Sequence, residues 1–116
     1  MEIKKLNIEG REVEFVNSWR GTRSGFAHDT NLFINGVHRA EATCHYLNGT
    51  WECYTYQTVM KKAIYNLIEW EENYIRDNFK AEKGYKKLTA KRAEELEQVF
   101  KENEELKFYR AIYNAL

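Results

Sequence analysis

The chain has 116 residues, 43% of them hydrophobic and 15% aromatic, with 18 basic and 18 acidic side chains. That length is enough for one domain with a real core, spanning 1–116, and leaves no room for two. Zero net charge argues against a protein that coats DNA through Lys and Arg, and equally against an acidic DNA mimic.

The start, Met1-Glu2-Ile3-Lys4-Lys5, is not followed by the apolar stretch of a signal peptide, and no apolar run approaches the ~20 residues of a membrane span. A cytoplasmic location and no membrane contact are expected. Leu6 and Ile8 alternate with polar residues, Glu9-Gly10 turns the chain, and Val13 and Phe15 alternate back. A two-residue hairpin there sets Leu6 opposite Val13 and Lys5 opposite Glu14. Asn17 to Gly25 reads as a loop, or as a strand end with a bulge. Phe26–Ile34, Val37–Leu47 and Thr50–Tyr54 read as three more strands, joined by Asn35-Gly36 and Asn48-Gly49. Asn-Gly supplies the positive φ angles of a type I′ turn.

From Val59 the period changes. Met60, Ala63, Ile64, Leu67, Ile68, Tyr74, Ile75 and Phe79 recur in steps of three and four, a helix of about five or six turns. Gly84 is the expected breaker, and Thr89 the cap of a second helix with Leu96, Val99 and Phe100 inward. The chain continues or breaks near Asn103, before Leu106, Tyr109, Ile112 and Leu116. Tyr65, Trp70, Tyr74, Tyr109 and Tyr113 sit at helical spacing and read mostly as core. If Trp70 or Tyr113 lies outside it, an interface is the first explanation. The expected fold is α+β: an N-terminal antiparallel sheet of about five strands (1–56), then two or three C-terminal helices (57–116) packed on one face.

Unbroken two-residue turns predict two sheet faces. Ile34 opposes Val37, Leu32 opposes Arg39, Thr30 opposes Glu41, and His28 opposes Thr43. Across the second turn Tyr46 opposes Trp51, His45 opposes Glu52, and Cys44 opposes Cys53. One face then holds Phe33, Ala40, Ala42, Ala27, Cys44, Cys53, Tyr46 and Trp51, and is the expected core. The other holds Phe26, His28, Thr30, Leu32, Arg39, Glu41, Thr43, His45, Glu52 and Tyr54, and is the expected working surface. Facing cysteines can form a cross-strand disulfide, but in the cytoplasm they are more often reduced and inert.

Two clusters carry possible chemistry. His45 with Glu52, and His28 nearby, could orient an imidazole as a general base, or could be plain cross-strand pairing. No nucleophile motif or glycine-rich phosphate cradle accompanies them, so no catalysis is expected. Trp19, Arg20 and Arg23 place arginine beside aromatics, a combination that binds phosphate or stacks on bases, or is simply a solvated loop. Three histidines and two cysteines fit no standard zinc spacing, so neither metal nor cofactor is expected.

The run Arg23-Ser-Gly-Phe-Ala-His28, with Tyr46-Leu-Asn-Gly-Thr-Trp-Glu52 and Tyr54-x-Tyr56-Gln57, resembles small accessory proteins of phages and prophages of Gram-positive bacteria. The resemblance covers roughly residues 20 to 70 and brings no catalytic residues. It implies a bacterial host cell and a protein that inhibits host defence by binding a partner, a CRISPR–Cas effector nuclease foremost. The expected contacts are Trp19, Arg20, Arg23, Arg39, His45, Glu52 and Tyr54. The rival readings are a small nucleic-acid-binding module built on the Arg20/Arg23 loop, and a homodimer through the C-terminal helices.

Overall fold

The computed structural model describes residues 1–47, 55–83 and 89–116. Four strands, β1 (Glu2–Ile8), β2 (Arg11–Thr22), β3 (Gly25–Ile34) and β4 (Val37–Leu47), form one antiparallel sheet in the order β1-β2-β3-β4. Three helices follow: α1 (Gln57–Lys83), α2 (Ala90–Glu102) and α3 (Glu104–Ala115). The α+β class is as expected. The sheet has four described strands rather than about five; the expected strand Thr50–Tyr54, the Asn48-Gly49 turn and Gly84 lie outside the described residues.

Two of the three turns within the described sheet use positive φ. Glu9 and Gly10 have φ of 53° and 80°, Asn35 and Gly36 of 50° and 77°. Those are the angles of a I′ turn, whose twist matches the strands it joins. Leu6 does pair with Val13 and Lys5 with Glu14. Asn35 also reaches across to β2. Its Oδ1 accepts from the Glu12 amide at 2.9 Å, while its own amide donates to the Glu12 carbonyl at 2.8 Å. The Asn35-Gly36 turn is thereby tied to a neighbouring strand outside its own hairpin. The segment expected to loop from Asn17 is strand as far as Thr22, because it pairs residue by residue with Gly25–Thr30. Only Arg23 and Ser24 turn.

The predicted faces fail at one place. Ile34 pairs with Val37 and Phe33 with His38, but Leu32 then pairs with Ala40. Arg39 is the extra residue of a bulge, and every later pair is shifted by one. Leu32, Thr30, His28 and Phe26 therefore share a face with Ala40, Ala42, Cys44 and Tyr46. Phe33, Asn31, Asp29 and Ala27 share the other with His38, Glu41, Thr43 and His45. The unbulged register would have put Leu32 among Arg39, Glu41 and Thr43, and the small β4 residues beside Asp29 and Asn31. The bulge brings apolar positions of both strands under the helices.

That face is the core. Val13, Phe15, Leu32 and Ile34 pack with Met60, Ile64 and Leu67 of α1 and Phe108, Tyr109 and Ile112 of α3. Ala42 meets Val59 and Ala63, so small residues bring α1 close to the sheet. Inside this layer Asn17 and Thr30 are buried, with Thr30 Oγ1 donating to Asn17 Oδ1 and Asn17 Nδ2 to Met60 Sδ at 3.4 Å. α1 has 27 residues, longer than the five or six turns expected, and spans ~40 Å. Its second half builds a separate cluster from Ile75 and Phe79 with Leu96, Phe100 and Leu106. Thr89 caps α2 as expected, its Oγ1 accepting from Arg92 N at 3.3 Å. Asn103 ends α2 and caps α3, accepting from Leu106 N at 2.8 Å. No helix among the described residues is long and apolar enough to cross a membrane.

Candidate binding surfaces

The expected contact residues do not gather in one place. Alternation places Arg20 and His45 on the open face of the sheet, flanking Ala27, and Trp19 on the helix face in line with His28 and Cys44. Arg23 is exposed in the β2–β3 turn. Glu52 and Tyr54 lie outside the described residues. The enzyme reading needed His28 beside His45, and the bulge puts them on opposite faces. Cys44 is a half-buried free thiol on the helix face, and Cys53, its expected opposite, lies outside the described residues.

The open face is a polar network. Arg20 Nε meets Asp29 Oδ2 at 3.0 Å, and Thr43 Oγ1 donates to Asp29 Oδ1 at 2.6 Å. The Thr43 hydroxyl, then the Arg20 guanidinium, hold the Asp29 carboxyl below the usual carboxylate range. Asn31 Oδ1 lies 3.0 Å from His38 Nε2, and since an amide oxygen only accepts, the ring nitrogen donates. Arg20 is thus already ion-paired, which weakens the expected phosphate-binding role.

Arg39 is re-aimed by the bulge. Instead of standing on a polar working face it donates through Nη2 to the Tyr109 hydroxyl at 2.8 Å. It also lines a cleft of about 320 Å³ with Ala40, Glu41, Asn66, Leu67 and Trp70. Lys62 Nζ and Asn66 Nδ2 of α1 donate to the carbonyls of Thr43 and Glu41 at 2.8 and 3.5 Å. Helix side chains thereby cover part of the β4 edge. Trp70, expected mostly as core, is 57% exposed, and Tyr74 is 55% exposed. Their rings stack 12° from parallel with centroids 5.7 Å apart. Tyr65 is exposed as well, and Tyr113 is 37% exposed. The steps from Leu67 to Trp70 to Tyr74 look like core spacing. Ile68 faces the core, however, and residues two apart point ~200° from each other around a helix, so Trp70 points elsewhere.

A second hollow was not foreseen. Trp19, Phe26, His28 and Tyr56 line a cavity of about 330 Å³. His28 is 5% exposed, and its Nδ1 has no hydrogen-bond partner among the described residues. Burial pushes the imidazole below its ordinary value, against the opposing pull of a hydrogen bond with the Thr55 backbone. His28 is therefore neutral at pH 7. The only signal in the sequence was the aromatic spacing of Phe26, Tyr46 and Tyr56. The misplaced register sent His28 to the wrong face.

No family model, curated protein or solved structure matches this chain. Site and function therefore rest on the geometry of its own residues. Among the described residues no three His, Cys, Asp or Glu side chains group in a way that could hold a metal ion.

Proposed function

We propose that this chain is a non-catalytic binding protein that docks a macromolecular partner through the aromatic surface on α1. The observation that carries the reading is the stacked Trp70–Tyr74 pair, more than half exposed and bordering the Arg39–Glu41 cleft. Large aromatics beside a charged rim are the composition of interface hot spots. The likeness of residues 23–28 and 46–57 to phage accessory proteins directs the partner toward host defence, a CRISPR–Cas effector nuclease foremost. The ion-paired state of Arg20 and the zero net charge favour a protein partner over nucleic acid.

The test is co-purification of the tagged chain with candidate effector complexes, alongside a nuclease-inhibition assay. Stoichiometric retention of one effector is expected. The Trp70→Ala/Tyr74→Ala double variant should fold normally and lose that retention. Undiminished retention by the folded double variant would remove α1 from the interface.

A further inference from the structure

The second half of α1 meets α2 and the start of α3 over a small core of Ile75, Phe79, Leu96, Phe100 and Leu106. A groove of about 260 Å³ lies along that seam, below the usual range of small-molecule pockets. Ile75 and Phe79 are its buried floor, and Tyr74 and Val99, 55% and 37% exposed, add apolar surface at its rim. Tyr74 is also half of the stack with Trp70, so the groove continues the aromatic surface of α1.

Charge decides what fits there. Glu71 and Glu82 line the groove, and neither has an ion-pair or hydrogen-bond partner among the described residues. Burial, then the Glu105 carboxylate, push Glu71 above the usual carboxylate range against the pull of Arg39. Among the described lining residues none is basic, and Asn78 and Asn103 are neutral amides. The neighbouring cations are committed or turned away. Arg39 donates to Tyr109, Arg76 donates to Asn73 and lies over the Phe100 ring, and Arg110 pairs with Glu72. Lys80 and Lys101 each stand two residues from lining positions, ~200° away around their helices.

Two carboxylates beside an apolar floor repel a phosphate backbone or an anionic lipid surface. They also oppose a second copy, because a two-fold contact through one patch sets these carboxylates against their own counterparts. Spacing narrows the occupant further. Glu71 and Glu82 lie three turns apart on α1, about 16 Å along its axis and nearly in line. A partner helix laid along the groove meets both with two side chains on one of its faces. An extended strand covers the same span in about five residues, which leaves the two side chains on opposite faces.

We propose that this groove receives a helical segment of a protein partner, apolar where it meets Ile75, Phe79 and Val99 and carrying Lys or Arg opposite Glu71 and Glu82. This rests on the binding-protein reading and deepens it by naming the chemistry of the partner segment.

The experiment titrates the isotope-labelled full chain with Leu- and Ala-rich helical peptides about five turns long, followed by NMR and calorimetry. One peptide carries two Lys three turns apart on the edge of its apolar face, a second carries Glu at those positions, and a third has the two Lys on opposite faces. Saturable shifts at Tyr74, Ile75 and Val99 are expected with the first peptide, and binding about tenfold weaker or less with the other two. The Glu71→Gln/Glu82→Gln double variant should bind the first peptide about three- to tenfold more weakly, the worth of two exposed ion pairs. Neither carboxylate holds an ion pair, so that variant should fold. Equal or tighter binding of the Glu peptide would overturn the proposal, as would shifts elsewhere, no response to any peptide, or undiminished affinity in the double variant. If the first peptide seats as expected while co-purification with effectors fails, the groove stands and the defence partner falls. If an effector is retained by the wild-type chain and equally by the double variant, the α1 surface stands and the groove falls.

Discussion

α1 handles its aromatic neighbours in opposite ways along its length. At its start Tyr56 leans on the buried ring of His28, and Phe26 and Tyr46 pack against that same ring and each other. In its middle Trp70 and Tyr74 stack on each other and project from the molecule. In the first region each ring is partly a wall of the fold, so a substitution there acts on stability first. In the second, the rings add contact area at little cost to the core. The difference teaches where a substitution can report on function alone.

Four predictions sharpen or break that contrast. The largest effect is expected at Tyr46, buried behind the cavity. Tyr46→Ala should cost about 3 kcal/mol in chemical denaturation, as truncation of a buried aromatic usually does. A loss under about 1 kcal/mol would mean the cavity wall carries little of the fold.

Arg39 belongs to both regions, since it lines the cleft beside Trp70 and also serves buried Tyr109. Arg39→Ala should cost about 1–3 kcal/mol, because the Tyr109 hydroxyl is left buried without its donor. The cost should shrink when Tyr109→Phe is combined with it, and a double-mutant cycle reads the coupling. Strict additivity would show that the hydrogen bond is not what Arg39 contributes.

His28 gives the cavity region a pH dependence. Its folded value lies below the ordinary 6.5, so just below that pH the unfolded chain binds a proton that the folded chain does not. Stability is then full above pH 6.5 and declines as pH falls through the window beneath it. Urea midpoints measured from about pH 7.5 down to about pH 5.5 should show this decline, and His28→Gln should flatten it. A parallel decline in the variant would assign the effect to other groups.

The smallest change is expected at the exposed pair. Trp70→Ala and Tyr74→Ala should each alter stability by no more than about 0.5 kcal/mol, the usual range for surface positions. A cost comparable to that of Tyr46→Ala would erase the contrast and make the pair structural.

Much of the fold was legible because its signals are local. Glu9-Gly10 and Asn35-Gly36 needed only their own φ angles and their neighbours' alternation, and Thr89 needed only an amide three residues on. The site was far less legible. Trp19, Arg20, Arg39 and His45 were expected together, yet the sheet separates Arg20 and His45 from Trp19, and the bulge turns Arg39 toward Tyr109. Trp70 and Tyr74 were read inward because steps of three and four do not say how wide the buried stripe is.

By itself the sequence determined the order of strands then helices, the Glu9-Gly10 and Asn35-Gly36 turns, the cap at Thr89 and the absence of net charge. Each depends on backbone preferences or side chains within a few residues. Tertiary structure decided the rest. A sheet register with or without one extra residue at Arg39 satisfies local hydrogen bonding almost equally well. Only the demand that Leu32, Ile34, Ala40 and Ala42 share one helix-covered face selects the bulge, and with it the side of the sheet on which His28 is buried.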